Sequence, residues 1–233
     1  MVQKHRGTHV FDKILVKGVG AFSKPTPLGE LADYYEDFED FLRPTADLTD
    51  WTVTEVGAGG TELYPDEVGG VLLLTTDALD NDAVQVQRKG ETYLLAATKP
   101  LWFECRTKVT KVTESDLFWG LSDTDTTLLP DPATSDGVYF CKDDGDALID
   151  IVTMVGSAAT KASSGVELVT GTWTKLAFYW DGATVFFYID DVYVGSTALH
   201  ITATELCVSF GIWNGEGGAT PMRIDYYRVM QKR

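Results

Sequence analysis

The sequence predicts an all-β protein built as an antiparallel sandwich of two sheets. After residue 50, short runs rich in Val, Thr, Tyr, Phe and Trp recur about every ten to fifteen residues. Within these runs apolar and polar residues alternate, as in a strand with one buried face. Glycine, aspartate, asparagine and proline separate the runs and indicate turns. About eleven or twelve strands, with almost no helix after residue 45, favour two packed sheets.

The strand-like runs follow one another without a long interruption. The third run is the longest, and its odd-numbered residues, such as Leu101 and Phe103, form an apolar face opposite Glu104 and Arg106. The predicted strands cover residues 71–76, 84–87, 101–109, 117–121, 138–142, 148–155, 173–180, 185–189, 192–194, 206–212 and 222–226. Asp181-Gly182 is a strong hairpin signal between two of these runs. Asp190-Asp191 predicts a second tight turn directly after it.

The N-terminal segment differs from the rest of the chain in charge. Residues 1–28 contain five basic residues and the single acid Asp12, a balance of +4, so the remainder carries −20 of the total charge of −16. Glycine and proline interrupt this segment repeatedly, so it cannot build a core of its own. We interpret residues 1–35 as an arm that binds a partner, or alternatively as a flexible terminus. The basic residues of the arm are Lys4, Arg6, Lys13, Lys17 and Lys24.

The arm is followed by a predicted sandwich domain over residues 36–233. Apolar residues at 31, 34, 35, 38, 41 and 42 have helical spacing, and Pro44 would end a helix. The junction is therefore predicted to contain a short amphipathic connector helix over residues 31–42.

Composition excludes several classes of protein. A net charge of −16 and a sequence pI near 4.4 disfavour nucleic-acid binding, because such a surface repels phosphates. No apolar run is long enough to predict a membrane span, and the N-terminus does not resemble a secretory signal. Cys105, Cys141 and Cys207 are odd in number and widely spaced, which predicts buried free thiols in a reducing compartment.

Three stretches resemble known β-sandwich families. Residues 173–195 combine a Trp-x-x-Leu strand, an Asp-Gly turn and a Tyr-Ile-Asp-x-x-x-Val-Gly strand, which looks like the central hairpin of concanavalin A-like and laminin-G-like jelly rolls. Residues 223–229 and 47–51 resemble the closing and opening strands of laminarinase-like glucanases in the same superfamily. The resemblance covers about 38–229 and implies a concanavalin A-like jelly roll. It is weak for function, because this fold serves lectins, hydrolases and structural modules.

The resemblance to glucanases can be tested on their acidic motif. Those enzymes carry a Glu, an Asp two positions on, and a second Glu two or three positions further. Glu114-Ser-Asp116 begins in this way, but Phe118 or Trp119 stands where the second Glu is required. We therefore expect no catalytic residues and no enzymatic activity, with a glycan hydrolase as a remote alternative.

Two kinds of binding site are weaker candidates. Three loops rich in carboxylates, residues 77–82, 123–125 and 143–146, suit calcium, although none matches the twelve-residue calcium loop, and solvated turns are the alternative. The calcium candidates are Asp123, Asp125, Asp143, Asp144 and Asp146. Trp213 and Trp180 are candidates for stacking on a sugar, with core packing as the alternative. No other cofactor is expected.

The stretch 136–145 resembles laminin-G-like jelly rolls encoded among tailed-bacteriophage virion genes. The resemblance implies a non-enzymatic virion protein, assembled in the host cytoplasm, that decorates or cements the capsid through its arm. Its expected partners are the major capsid protein or other virion subunits and further copies of itself on the particle, without nucleic acid or membrane. A carbohydrate-binding module that attaches to cell-surface glycans is the alternative.

Overall fold

The computed structural model describes residues 34–42, 48–57, 59–65, 67–129 and 136–233. These ranges contain sixteen β-strands and no helix, which confirms the predicted all-β class. Accordingly, no described segment is a helix that could cross a membrane. The strands are β1 (Tyr34–Glu39), β2 (Trp51–Val56), β3 (Thr61–Leu63), β4 (Leu72–Thr75), β5 (Ala83–Arg88), β6 (Tyr93–Leu94), β7 (Leu101–Val109), β8 (Ser115–Ser122), β9 (Gly137–Lys142), β10 (Leu148–Val155), β11 (Ala158–Glu167), β12 (Thr174–Trp180), β13 (Val185–Ile189), β14 (Val192–Thr197), β15 (Glu205–Asn214) and β16 (Pro221–Lys232).

The strands form two antiparallel sheets of eight strands each, as a sandwich requires. Sheet one has the order β14-β13-β12-β7-β16-β4-β3, and β1 also pairs with β16. Sheet two has the order β11-β10-β9-β8-β15-β5-β2, and β6 also pairs with β15. Strands distant in sequence are neighbours in both sheets, which is the connectivity of a jelly roll rather than of simple hairpins.

The two predicted tight turns are confirmed. β12 and β13 pair directly on either side of Asp181-Gly182, and Asp181 N–H donates to the carbonyl of Thr184 at 3.2 Å. Gly182 has a φ of 105°, and a Cβ there would lie 2.2 Å from the carbonyl oxygen of Ala97, so only glycine fits. The turn at 190–191 joins β13 to β14.

The predicted helix over 31–42 is wrong for the residues that the structure describes, because Tyr34–Glu39 is strand β1. Its apolar spacing is compatible with a helix, but the free edge of β16 is available for pairing. The strand turns Asp37 toward the interior, where its Oδ2 accepts hydrogen bonds from the hydroxyls of Tyr93 at 2.8 Å and Tyr227 at 3.1 Å. These bonds stabilise the extended form. Residues 1–33, with all five basic residues of the predicted arm, lie outside the described residues.

The main core lies between the two sheets. The indole N–H of Trp119 on β8 donates to the hydroxyl of Thr107 on β7 at 3.0 Å, a buried bond that joins the sheets. Cys105, Cys141 and Cys207 are free and buried, as predicted.

A second apolar cluster covers the outer face of sheet two. It consists of Phe118, Leu128, Leu129, Tyr139, Cys141, Val152 and Met154. Residues 123–129, here called the strap, contribute the two leucines. Gln85 holds the strap in place, since its Nε2 donates to the carbonyl of Asp125 at 2.6 Å and its Oε1 accepts from Leu128 N–H at 2.9 Å. The strap therefore closes the middle of this face.

Candidate functional site

Asp116 lies at the end of sheet two that the strap leaves uncovered. It is the second residue of β8, and Trp213 on β15 is directly opposite. The side chain is mostly buried, at 7% exposure, although it lies on the outer face. Its Oδ1 accepts a hydrogen bond of 2.7 Å from Asp144 N–H. A nearly buried carboxyl is thus held beside a half-buried aromatic ring.

Glu114 precedes Asp116 by two positions. It lies in the bend directly before β8, where its backbone carbonyl accepts a hydrogen bond of 3.0 Å from Gly215 N–H. The Glu114 side chain is more exposed, at 37%, and its carboxylate forms an ion pair with Lys111 at 3.5 Å. The end of sheet two therefore presents two carboxyl groups in different environments.

Burial raises the pKa of Asp116 above its ordinary value. The nearby ammonium of Lys142 opposes this increase, whereas the negative charges of Asp143 and Asp144 add to it. A carboxyl group with a raised pKa can keep its proton at a pH where an exposed carboxyl has lost it, which is what a general acid requires.

Phe118 occupies the next position on the same face. It is 1% exposed, and its ring centroid lies 4.4 Å from that of Tyr139. Leucines of the strap pack over both rings. The resemblance to glucanases places a second Glu at this position or the next, and the structure has apolar packing there instead. Asp116 is therefore the one carboxyl group of β8, and Glu114 directly precedes the strand.

The acidic loop after β9 contains three of the calcium candidates, Asp143, Asp144 and Asp146. Two lysines already lie among them. Lys161 bonds Asp143 at 2.7 and 2.9 Å and lies 3.5 Å from Asp150. The lysines of the chain itself therefore balance part of the negative charge of this loop.

Lys142 is the second of these lysines and is fully buried. Its ammonium donates to the carbonyls of Val112 and Asp146, and this joins the loop to the segment before β8. Burial lowers the pKa of Lys142, although the surrounding aspartates oppose the decrease. The sequence analysis did not identify this residue, because nothing in its local pattern distinguishes it from a surface lysine.

One trio of metal-ligand side chains is close enough to share an ion. Potential ligand atoms of Cys141, Asp143 and Asp150 lie within 4.8 Å of one another, the one such group in the part of the chain that the structure describes. Lys161 bonds both carboxylates, so its ammonium already supplies the positive charge at this position.

The other calcium candidates, Asp123 and Asp125, lie in the strap at the opposite end of β8. Burial and the charges of Asp136, Asp125 and Glu91 raise the pKa of Asp123 from 3.8 to about 6. One of its oxygens, Oδ1, is buried without a hydrogen-bond partner. The structure therefore divides the five calcium candidates between two distant loops.

The two tryptophan candidates have different surroundings. Trp180 is 4% exposed and belongs to the main core, where its indole N–H donates to the carbonyl of Ala96 at 3.0 Å. The prediction that it stacks on a sugar is wrong, since its face is covered. Trp213 is half-buried and lies opposite Asp116, so it remains available for a ligand at the end of sheet two.

No protein family and no curated protein matches this sequence. Solved structures do share its fold. A protein of unknown function from Shewanella oneidensis MR-1 is 17% identical, with a TM-score of 0.59, covering 85% of this chain and 87% of the other. A Bacteroides ovatus glycoside hydrolase of family 16 in complex with a glucan product is 14% identical, with a TM-score of 0.59, covering 83% and 99%. The transglycosylase Crh5 is 16% identical, with a TM-score of 0.59, covering 86% and 85%. These likenesses establish the concanavalin A-like jelly roll.

The comparisons also correct two predictions. The sequence analysis predicted a capsid decoration protein and no enzymatic activity. Several of the structures similar to this chain are instead named as glucanases, glycosidic hydrolases and transglycosylases. Both predictions are therefore contradicted.

Proposed function

We propose that the protein binds a glycan at the end of sheet two and cleaves or transfers its glycosidic bonds, with Glu114 and Asp116 as the reacting carboxyl groups. The observation that carries this proposal is the pair itself: Asp116, buried at the start of β8, and Glu114, partly exposed and ion-paired in the bend directly before the strand. The names of structures with the same fold support a glycan as the substrate class.

The environments assign the two roles. Asp116 is the general acid, because burial raises its pKa. Glu114 is the nucleophile, because its carboxylate is partly exposed to a substrate and is oriented by the ion pair with Lys111. Retaining glycosidases need about 5 to 5.5 Å between the two carboxyl groups, a separation that the side chains of residues two positions apart can span.

The reaction then has two steps. Asp116 donates its proton to the glycosidic oxygen while a Glu114 oxygen attacks the anomeric carbon, so the bond to the leaving sugar breaks and an ester forms on Glu114. Asp116 next accepts a proton from water or from a sugar hydroxyl, whose oxygen displaces Glu114 and restores both groups. Water gives hydrolysis and a sugar gives transfer.

Trp213 supplies the binding surface beside the acid. Its ring lies across from Asp116 on the neighbouring strand, where an apolar sugar face can stack on it. Because the strap closes the middle of the sheet, the glycan is expected to bind across this end rather than along the whole face.

The test is turnover of a panel of soluble glycans, including mixed-linkage β-glucan and N-acetylglucosamine oligomers. Asp116→Asn is expected to lower kcat about 10²- to 10⁴-fold. Activity of the wild type should fall as pH rises through the raised pKa of Asp116, because the acid then loses its proton. The control is Glu205→Gln, an exposed acid at the start of β15. The proposal would be contradicted if the protein neither cleaved nor transferred any glycan in the panel and calorimetry detected no binding of any of them.

The virion location and the virion partners expected from sequence stay predictions, as does self-association on a particle. A glycan partner is the part of those expectations that this proposal retains.

A further inference from the structure

A group of acids surrounds the turn that joins β2 to β3, at the edge of the sandwich. We call it the Asp82 cluster and define it as Glu55, Glu62, Asp77 and Asp82. The turn lies between the edge strand of sheet two and the edge strand of sheet one. The cluster places four formally negative side chains around this turn.

Asp82 is the buried member of the cluster. It is 7% exposed, and its Oδ2 is inaccessible to water and has no hydrogen-bond partner. Glu62 Oε2 is likewise buried without a partner. An unpaired buried carboxylate is strongly unfavourable, so native proteins pair such groups or bind a metal with them.

Two glycines bring the backbone against these carboxylates. A Cβ on Gly57 would lie 1.8 Å from Asp82 Oδ1, and a Cβ on Gly59 would lie 2.9 Å from Asp77 Oδ2. Both glycines have positive φ, 89° and 107°. The turn is therefore shaped so that two carboxylates approach its backbone from the same loop, which a larger residue at either position would prevent.

The loop that carries these aspartates is held rigidly. Asn214 is fully buried, and its side-chain amide donates to the carbonyls of Asp77 and Leu79 at 3.2 and 3.0 Å. Its backbone N–H donates to the carbonyl of Asp82 at 2.8 Å. Fixed oxygen atoms are thus arranged before any ligand is bound.

No lysine, arginine or histidine of the described residues forms an ion pair with any member of the Asp82 cluster. The loop after β9 differs in this respect, because Lys142 and Lys161 lie among its acids. The missing counter-charge must come from outside the described chain. Hard carboxylate and carbonyl oxygens on a rigid loop suit Ca²⁺, which accepts six to eight oxygens and completes its shell with water.

We propose that the Asp82 cluster binds a calcium ion, with Asp82 and Asp77 as the carboxylate ligands. Glu55 and Glu62 add negative potential around the ion. The site is separate from Glu114 and Asp116, so calcium acts on the stability of the loop rather than on the proposed reaction.

The experiment is calorimetric titration of the full chain, freed of metal with a chelator, with calcium chloride. We expect one ion per chain with a Kd of about 10⁻⁵ to 10⁻³ M. With 5 mM calcium, the midpoint of thermal unfolding should rise by about 5 °C, because the ion binds the folded state alone.

The variants Asp82→Asn and Asp80→Asn distinguish a specific calcium site from non-specific attraction of calcium to an acidic loop. Asp80 is an exposed acid of the same loop, so both variants remove the same charge from the same segment. We expect Asp82→Asn to lose calcium binding at least tenfold and Asp80→Asn to keep it within about twofold. The proposal would be overturned if the wild type did not bind calcium, or if both variants lost calcium affinity to the same extent.

Discussion

Two acidic regions lie at the same end of sheet two, on either side of Trp213, and they differ in how their charge is balanced. In the loop after β9, Lys142 and Lys161 bond to the acidic segment. In the Asp82 cluster no such cation is found among the described residues. The first region has its counter-charge among the described residues, and the second does not.

The difference bears on both proposals. The lysines stabilise a loop whose Asp144 N–H bonds Asp116, so they hold the proposed general acid in place. The Asp82 cluster is held by backbone hydrogen bonds to Asn214, but no cation of the described residues balances its charge.

The largest effect is expected from removing the buried lysine. Lys142→Met leaves the carbonyls of Val112 and Asp146 without their donor and removes a positive charge among several aspartates. Chemical denaturation should show a loss of about 2 to 4 kcal/mol in the free energy of unfolding.

The matched control is Lys89→Met. Lys89 also donates its ammonium to a backbone carbonyl, that of Thr49 at 2.8 Å, but this bond is exposed to solvent. A loss below about 0.5 kcal/mol is expected there. Equal losses in the two variants would show that Lys142 has no special structural role.

Replacing an aspartate by asparagine should change the free energy of unfolding in opposite directions in the two regions. Without calcium, Asp82→Asn removes an unpaired buried charge and should raise the free energy of unfolding by about 1 kcal/mol. Asp143→Asn breaks the bonds to Lys161 and should lower it by about 0.5 to 1 kcal/mol, because that pair is partly exposed. Parallel denaturation curves in chelator measure both. The proposed difference between the two regions is contradicted if both substitutions raise, or both lower, the free energy of unfolding.

A smaller effect is expected at the strap, where Asp123 is also crowded by acids. Its pKa is raised from 3.8 to about 6, so its contribution to stability is present below about pH 4 and is lost as pH rises through about 6. Asp123→Asn should therefore match the wild type in melting temperature at pH 4 and exceed it at pH 7.5. Melting curves across this range test it, and a constant difference would contradict the assigned pKa.

The fold is largely predictable from sequence because strands repeat every two residues. The third predicted run, residues 101–109, coincides with β7 (Leu101–Val109). Strand β1 was not predictable, because its apolar spacing also fits a helix and its pairing depends on β16, almost two hundred residues away.

The candidate site is predictable only in part. Glu114 and Asp116 stand out in sequence as the start of an acidic motif. The burial of Asp116 depends on a loop about thirty residues later, whose Asp144 N–H reaches its carboxylate. The loop 77–82 stands out in sequence as rich in carboxylates, but the isolation of Asp82 depends on contacts between distant segments.

The most direct test of the proposed reaction is covalent labelling of the nucleophile. A 2-deoxy-2-fluoro β-glycoside with a dinitrophenyl leaving group should form a stable ester on Glu114, detected by mass spectrometry as one added glycosyl group on the peptide that contains it. Asp116→Asn should still be labelled, because this leaving group needs no general acid, whereas Glu114→Gln should not. Labelling of Glu114→Gln at another residue, or a wild type that turns over glycans without forming the ester, would contradict the assignment.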